Sequence, residues 1–276
     1  MKTDWGHAKV CALINRKVTE GIRGTLEVER IDALSFDTLT AHNVKIIAPD
    51  GVPAIVAETA VIDFSLSEMW AGRYGWSRAD VRNCLVRVSQ KHGSKTNMEA
   101  TFEGRAPKHH EEKKEKKDSS EVDMRSMATS NCTLLIFGGS LPDLRLTDLD
   151  GIMRVHVLKN GDTELRFDHY RGSIEKGLPI GELAFHDVQG DVLTKGKRLL
   201  RFVGEGTTHK TPVTFALDVD RDGKNAVHID AAFPEPTFRA LSSAWLELWS
   251  KFNDNLDIRV QFGKEAAAQL ARKLEP

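Results

Sequence analysis

Cysteine is scarce in this chain, and the cysteines that are present lie far apart. Among 276 residues there are three, Cys11, Cys84 and Cys132, and none belongs to a Cys-x-x-Cys pair or has a histidine at zinc-ligand spacing. Such spacings are typical of structural zinc sites and of disulfide-rich scaffolds. We therefore expect neither a zinc site nor a disulfide framework, although three cysteines leave room for one pair and one free thiol.

The chain also lacks an excess of one charge and any long apolar run. The formal net charge is −1 at pH 7, whereas nucleic-acid-binding domains usually carry a strong basic excess. We therefore expect no nucleic-acid partner. No uncharged apolar segment approaches the roughly 20 residues that a membrane-spanning helix needs. The polar residues 1–6 do not resemble a signal peptide, so we expect neither a secretion signal nor an anchor in this chain.

Motifs that mark enzymes are missing as well. Residues 190–197 place five residues, instead of four, between the two glycines of a phosphate-binding loop. HExxH and GxSxG do not occur. The nearest approach to a catalytic constellation is the pair of dipeptides Asp168-His169 and His186-Asp187, which we interpret as exposed strand positions because neighbours in a strand point to opposite faces. We expect no enzymatic activity, no cofactor and no metal.

The first regular pattern is an amphipathic helix that begins near Asp4 and ends near Gly21. Its apolar residues fall on one side at helical spacing and are Val10, Cys11, Leu13, Ile14 and Val18. We interpret it as a helix that packs on a sheet edge. The alternative is a helix that lies in a membrane interface.

After Gly24 the apolar residues alternate with polar ones, as in β-strands with one solvated face. The alternation is clear at 25–31, 39–46 and 54–66, and it resumes from residue 132 as strands separated by turn residues. The pattern predicts a mainly β fold with an antiparallel, elongated or curved sheet similar to a β-groove. The N-terminal amphipathic helix precedes this sheet, and short C-terminal helices near 237–254 and 264–274 follow it.

Residues 105–127 differ in kind from the rest, because most of them are charged and apolar residues are nearly absent up to Ser120. We interpret this segment as a charged, disordered linker, and we regard His109 and His110 as part of its solvated charge and not as metal ligands. The linker divides the chain into an N-terminal module of helix and strands, 1–104, and a second β-rich module, 128–276.

Two sets of apolar residues are candidates for binding. The strand alternation places one set on the core-facing side of the sheet, where acyl chains could lie: Val44, Ile46, Ile62, Phe64, Leu165 and Phe167. The other set forms a stripe on the predicted helix 237–254 and would contact a membrane or a partner: Trp245, Leu248, Trp249 and Phe252. A stripe of this kind belongs to a hydrophobic core more often than to a binding surface.

A succession of short segments within residues 1–102 points to a family. The segments are LINRKV at 13–18, GTLEVERI at 24–31, LTAHNV at 39–44, PDG at 49–51, ETAVIDF at 58–64, WAGR at 70–73 and NME at 97–99. In their order and spacing they resemble the opening of AsmA/TamB-type bacterial envelope proteins. Beyond the charged segment the likeness consists only of many short amphipathic strands.

The resemblance implies a long β-groove, apolar inside, in a periplasmic or inner-membrane-associated protein. It implies a role in lipid transport or outer-membrane assembly, with a phospholipid or another acyl lipid and envelope assembly proteins as partners, and with possible contact to a membrane surface. It supplies no catalytic residues. The alternative is a structural or adaptor module that docks proteins through β edges and the Trp-rich helix. The two functions differ in whether the apolar face continues along the whole sheet.

Overall fold

The computed structural model describes most of the chain as strands of one sheet with three helices beside them. It describes residues 4–35, 37–64, 74–90, 96–103, 122–138, 143–157, 163–177, 182–193, 198–208, 211–220, 226–233 and 256–272. The elements of the N-terminal part are α1 (Asp4–Gly21), β1 (Thr25–Leu34), β2 (Thr38–Ile47), β3 (Pro53–Phe64), β4 (Tyr74–Gln90) and α2 (Asn97–Phe102). Those that follow are β5 (Val122–Gly138), β6 (Leu144–Val157), β7 (Thr163–Lys176), β8 (Leu183–Leu193), β9 (Arg198–Thr208), β10 (Thr211–Asp220), β11 (Ala226–Phe233), β12 (Leu256–Phe262) and α3 (Lys264–Arg272).

The twelve strands form a single sheet in which they follow one another in chain order from β1 to β12. Neighbouring strands are antiparallel except in two pairs, β4 with β5 and β11 with β12, which are parallel. The predicted mainly β fold with its antiparallel sheet is therefore confirmed. The parallel pairs were not predicted, because alternation places residues on a face but carries no information about strand direction. A parallel pair needs a crossover connection, and the chain between β4 and β5 includes α2.

The predicted linker is shorter than its sequence pattern suggested. Strand β5 begins at Val122, so residues 122–127 are strand and not linker. Val122 and Met124 pair with residues of β4 and of β6. In the sequence they alternate with charged residues, a pattern that is compatible with a β-strand. The rest of the predicted linker, 105–121, lies outside the described residues. Strands β4 and β5 of the two predicted modules pair with each other along their length.

Helix α1 covers the free edge of β1. The side chain of Asn15 accepts a hydrogen bond from the backbone nitrogen of Val28 at 2.8 Å and donates one to the carbonyl oxygen of Val28 at 3.1 Å. The hydroxyl of Thr19 accepts from the backbone nitrogen of Leu26 at 3.0 Å. These side chains take the place of a further strand, so the edge does not present unpaired backbone groups there.

The apolar side of α1 packs on the same edge. Cys11 is buried with Val28, Ile31 and Ala41, and Val10 and Ile14 pack against this cluster. The interpretation of α1 as a helix packed on a sheet edge is confirmed, and the helix ends at Gly21 as predicted. Leu13 and Val18, assigned from the sequence to the apolar side, are 47% and 39% exposed. These two residues lie at the margin of the contact between α1 and β1, because the apolar side of α1 is wider than the part of the helix that packs on β1.

Helix α3 lies at the other end of the sheet, where it contacts β10, β11 and β12 and buries Leu270. It corresponds to the helix predicted at 264–274. The helix predicted near 237–254, with Trp245, Leu248, Trp249 and Phe252, lies outside the described residues. Of the helices in the described part of the chain, none is both long and apolar enough to cross a membrane.

Candidate functional site

One face of the sheet carries apolar residues in long rows that cross the strands. The longest, which we call the central row, links residues that pair in succession on neighbouring strands from β1 to β12. Its members are Leu34, Leu39, Ile62, Ala79, Met127, Met153, Phe167, Gly190, Phe202, Leu217, Ile229 and Ile258. Every strand contributes a hydrophobic residue or a glycine, so this row contains no polar side chain.

A second row on the same face lies two residues from the central row on β3 and on β6 to β12. On β4 and β5 the separation is three residues, because the ladder is irregular there. It links, in order of pairing, Phe64, Trp76, Met124, Val155, Leu165, Val192, Leu200, Val219, Val227 and Leu256. A third row on this face links Leu26, Ile46, Ile55, Val86, Leu134, Leu146, Ile174 and Leu183. We call the surface that these rows form the apolar face and the opposite surface the outer face.

Six strands bend at one residue each, and these bend residues follow a line across the sheet. Their φ angles lie between 49° and 52°, in the left-handed region, and they are Asn43, Asn83, Asn131, Asp148, His169 and Asp187. Asn, Asp and His adopt this conformation more readily than other side chains that have a Cβ. The regular ladder is interrupted next to each of them, as at β-bulges, which bend the strand.

The bends keep both halves of each strand on the same apolar face. Ala41 and Val44 lie three residues apart, which in a regular strand would place them on opposite faces, yet both belong to one hydrophobic cluster. Val81 and Cys84 do the same on β4. At each bend two consecutive side chains therefore point outward, and a bulge of this kind bends the strand. We infer that the six bends curve the sheet toward the apolar face, and we call the apolar face along the line of bends the trough and the residues at the bends its floor.

The floor of the trough is lined with small buried residues between β2 and β5. Ala41 lies opposite Ala60, and Ala57 lies opposite Cys84; all four are buried. Larger side chains of the central and third rows rise on both sides of this floor. Small residues at a bend allow the two halves of the sheet to approach each other without overlap.

A disulfide closes the parallel joint between β4 and β5. Cys84 and Cys132 are bonded, with their Cα atoms 4.4 Å apart, and both are buried on the floor of the trough. The three cysteines thus form the one pair and one free thiol that the sequence left open. Cys11 is free and buried, and burial raises the pKa of its thiol.

The outer face along the bends carries a chain of polar contacts. The side-chain nitrogen of Asn43 donates to Glu29 at 2.8 Å, and that of Asn83 donates to Glu58. Further along, the backbone nitrogen of Asn131 donates to the carboxylate of Asp150 at 2.8 Å. The same carboxylate accepts from the Arg171 side chain at 3.1 Å. These contacts satisfy the polar groups that the bends turn toward solvent.

The predicted Asp/His pairs lie on this outer face and not in the trough. The Nδ1 atom of His169 is 3.4 Å from the carboxylate of Asp187, and their side chains are 70% and 68% exposed. His186 also approaches Asp187, at 3.5 Å. His169, His186 and Asp187 are exposed strand positions as expected, whereas the Asp168 side chain is only 22% exposed. The expectation that neighbours point to opposite faces is wrong here, because both residues of each dipeptide lie on the outer face at a bend. Within the described part of the chain, no group of three or more metal-ligating side chains occurs.

Most of the predicted groove residues lie on the apolar face. Val44, Ile46, Ile62, Leu165 and Phe167 all belong to it and are partly buried. Phe64 pairs opposite Trp76 in the second row, but its side chain is outside the described part. The structure adds Met127, Met153 and Phe202, which the central row places beside the predicted residues. The sequence did not identify them because their role depends on the pairing of strands that lie far apart in the chain.

An aromatic cluster lies on the apolar face between β7 and β9. The ring of Phe167 lies 5.4 Å from the rings of both Tyr170 and Phe202. The hydroxyl of Thr129 donates a hydrogen bond of 3.2 Å to the hydroxyl oxygen of Tyr170. Burial raises the pKa of Tyr170, an effect that the hydrogen bond with Thr129 opposes. The Tyr170 ring lies over Gly151, where a Cβ would come within 2.5 Å of it.

No second layer covers the middle of the apolar face in the described residues. Strands β5 to β9 contact their neighbours in the sheet, and none of the described helices makes more than a marginal contact with them. Along these strands Phe167 and Leu165 are partly buried, whereas Val155 and Val188 are buried. No protein-family model, curated protein or solved structure matches the chain.

Proposed function

We propose that the trough binds the acyl chains of lipid and that the protein is a non-catalytic component of the cell envelope, acting in lipid transport or outer-membrane assembly. The observation that carries this proposal is the central row, which contains a hydrophobic residue or a glycine on every one of the twelve strands. The members of this row whose side chains are described are partly buried, except Ala79, which is buried. Accessible apolar surface of this kind is typical of binding sites, because burying it is favourable by about 25 cal/mol per Å².

The continuity of the apolar face favours lipid over an adaptor role. An adaptor that docks a protein needs an apolar patch only where the partner sits, with polar residues around it. Here the central row crosses all twelve strands without a polar interruption, and the second and third rows extend the apolar surface over β3 to β12 and β1 to β8. A mobile acyl chain can use such a surface along its whole length, since hydrocarbon has no hydrogen-bonding groups to satisfy.

The dimensions of the trough suit more than one acyl chain. Neighbouring strands lie about 4.8 Å apart, so a sheet of twelve strands extends roughly 50 Å along the trough. The hydrocarbon core of a bilayer is about 30 Å thick, and each acyl chain spans about half of it, ~15 Å. Two or three extended chains would therefore fit end to end along the trough.

The Cys84–Cys132 disulfide supports an envelope location. Disulfides persist in oxidising compartments such as the bacterial periplasm and are rare in the cytosol. This agrees with the location that the resemblance to AsmA/TamB-type proteins implies. Phospholipid and envelope assembly proteins are accordingly the partners that we propose.

A matched pair of variants on β6 tests the proposal. Met153 lies in the central row, and its neighbour Ile152 is 41% exposed on the outer face. The wild type and the variants Met153→Glu and Ile152→Glu would be isolated gently from cells, and bound lipid would be identified by mass spectrometry. Binding of a fluorescent fatty acid would be measured in parallel. A carboxylate beside hydrocarbon costs several kcal/mol, so we expect Met153→Glu to lose lipid and Ile152→Glu to retain it.

A loss of bound lipid supports the trough only if the variant is folded. Circular dichroism and thermal melting would show whether Met153→Glu retains the wild-type fold. Folded Met153→Glu without lipid supports the trough. Folded protein that retains lipid contradicts it, as does wild-type protein that carries and binds none. If Met153→Glu does not fold, the face is a closed core, and the proposal is wrong.

A further inference from the structure

The row of residues that follows the line of bends is apolar except at one place. We call it the floor row, and it links residues that are paired or in close contact on successive strands from β1 to β11. Its members are Ile31, Ala41, Ala60, Val81, Thr129, Gly151, Tyr170, Val188, Gly204, Phe215 and Ala231. Thr129 and Tyr170 are its only polar side chains, and the central row beside it has none.

These two polar residues meet over β6, near the middle of the sheet. The Tyr170 ring lies over Gly151, which brings its hydroxyl within 3.2 Å of the hydroxyl of Thr129 on β5. The Thr129 hydroxyl also lies 3.4 Å from the carbonyl oxygen of Gly151. Both side chains are partly buried. The floor row therefore carries a single polar site, and apolar residues lie on both sides of it.

The Tyr170 hydroxyl keeps unused hydrogen-bonding capacity in this pair. A hydroxyl group has one hydrogen to donate and two lone pairs that accept. When Thr129 donates to Tyr170, the Tyr170 hydrogen has no acceptor among the described residues. When the roles are exchanged and Thr129 donates to Gly151, the lone pairs of the Tyr170 oxygen stay open. In both arrangements Tyr170 can form a hydrogen bond with a ligand.

Covering Gly151 does not require this hydroxyl. Phenylalanine would place the same ring over the glycine, and a hydroxyl in an apolar environment is unfavourable unless it is hydrogen-bonded. Burial raises the pKa of Tyr170 above its ordinary value, so the hydroxyl keeps its hydrogen at neutral pH. Tyr170 is thus a polar group, able to donate, in a surface otherwise suited to hydrocarbon.

The rings beside the pair indicate where the rest of a ligand would lie. The ring of Phe167 is 5.4 Å from the rings of Tyr170 and Phe202. Phe167 and Phe202 belong to the central row, in which Met153 lies opposite Phe167. A hydrocarbon chain that lies on this part of the central row would bring a polar group at its end to Tyr170.

We propose that Tyr170, with Thr129 beside it, binds the oxygen-bearing end of an acyl ligand, either a carboxyl or an ester group. The carbonyl oxygen accepts the hydrogen of the Tyr170 hydroxyl, and the acyl chain lies on the central row. This inference rests on the proposed function and deepens it, because it names the chemical group that distinguishes the ligand from plain hydrocarbon. The carboxyl of a free fatty acid and the ester of a glycerolipid share this group.

Removal of one oxygen atom tests the inference. Tyr170→Phe keeps the ring over Gly151 and removes only the hydroxyl. Diphenylhexatriene, a fluorescent hydrocarbon without oxygen, would be titrated into the full-length wild type and the variant, and palmitic acid and methyl palmitate would be measured by displacing it. The loss of one hydrogen bond weakens binding about three- to tenfold. We expect this loss for palmitic acid, and no change for diphenylhexatriene. An equal loss for methyl palmitate identifies the ester as sufficient, whereas unchanged methyl palmitate identifies the carboxyl.

The matched control is Ser130→Ala, which removes a hydroxyl next to Thr129 on the outer face and should bind all three probes like the wild type. If Tyr170→Phe binds palmitic acid and methyl palmitate as tightly as the wild type does, this inference is wrong and the proposed function stands. An equal loss for all three probes, or a variant that circular dichroism shows to be unfolded, also overturns it, since the hydroxyl then serves packing. Wild-type protein that binds none of the probes contradicts the proposed function and this inference with it.

Discussion

Asn131 donates a hydrogen bond from its side-chain nitrogen to the side-chain oxygen of Asn83 at 2.6 Å, and each of these residues directly precedes a cysteine of the Cys84–Cys132 bridge. The asparagine contact is on the outer face and the disulfide is on the floor of the trough. The parallel joint between β4 and β5 is thus linked on both faces at the line of bends. Elsewhere from β1 to β11 the neighbouring strands are joined by short connections. No such connection joins β4 to β5, and the disulfide and the asparagine hydrogen bond link these two strands instead.

The disulfide should contribute strongly to stability. The bridged cysteines are 48 residues apart in the chain, and closing a loop of that length restricts the unfolded state by about 4 kcal/mol in the chain-entropy estimate. We expect the Cys84→Ala/Cys132→Ala variant to lose roughly 2–4 kcal/mol of unfolding free energy in urea. Reduction with dithiothreitol should destabilise the wild type and Cys11→Ala equally and leave the double variant unchanged. A destabilisation of the double variant by reductant would contradict this account.

Substitutions at Asn131 should reveal the cost of its backbone conformation. Its φ of 52° disfavours alanine by about 1–2 kcal/mol, whereas glycine adopts this region freely. Both substitutions remove the same side-chain hydrogen bond with Asn83. We therefore expect Asn131→Ala to be less stable than Asn131→Gly by about 1 kcal/mol in chemical unfolding. Equal stability, or a more stable alanine variant, would argue against a bend at this position.

The close approach of Gly151 and Tyr170 predicts that position 151 does not tolerate a side chain. A Cβ at Gly151 would lie 2.5 Å from the Tyr170 ring, and such overpacking costs about 1–3 kcal/mol. We expect Gly151→Ala to lower the unfolding free energy by that amount. In the background of Tyr170→Ala, which removes the ring, the same substitution should cost much less. A double-mutant cycle measures the difference, and strict additivity of the two changes would show that the ring does not lie over the glycine.

The hydrogen bonds of Asn15 protect the edge of β1. Replacing it by leucine leaves the backbone nitrogen of Val28 without its partner at 2.8 Å, at a cost of about 1–3 kcal/mol. The carbonyl oxygen of Val28 loses the bond of 3.1 Å from Asn15 but still accepts one of 2.9 Å from the Cys11 thiol. We expect Asn15→Leu to lower the melting temperature and to promote aggregation through the exposed edge. Arg16→Ala, one residue along on the solvent side of α1, is the control and should behave like the wild type. Light scattering during thermal unfolding would show both effects.

Alternation was sufficient to place residues on the correct face only between the bends. Ile46, Ile62, Leu165 and Phe167 lie where the two-residue period of their own segment predicts, but the period shifts by one residue at each bend. The helix α1 and its end at Gly21 were likewise predictable, since helical spacing and a terminal glycine are local signals. These features are determined within a few residues of chain and need no tertiary contact.

Features that depend on which strands meet were decided only by the tertiary structure. The disulfide between Cys84 and Cys132 required β4 and β5 to pair in parallel, and the pattern of either strand alone is compatible with both directions. The trough required Asn43, Asn83 and Asn131 to bend at the same place across the sheet. In the sequence each of these asparagines looks like any other polar residue of an alternating segment, so the bend is not predicted. The sequence determined the faces of the strands, whereas register, direction and curvature came from packing between segments distant in the chain, because a period of two is the same for every neighbour a strand could have.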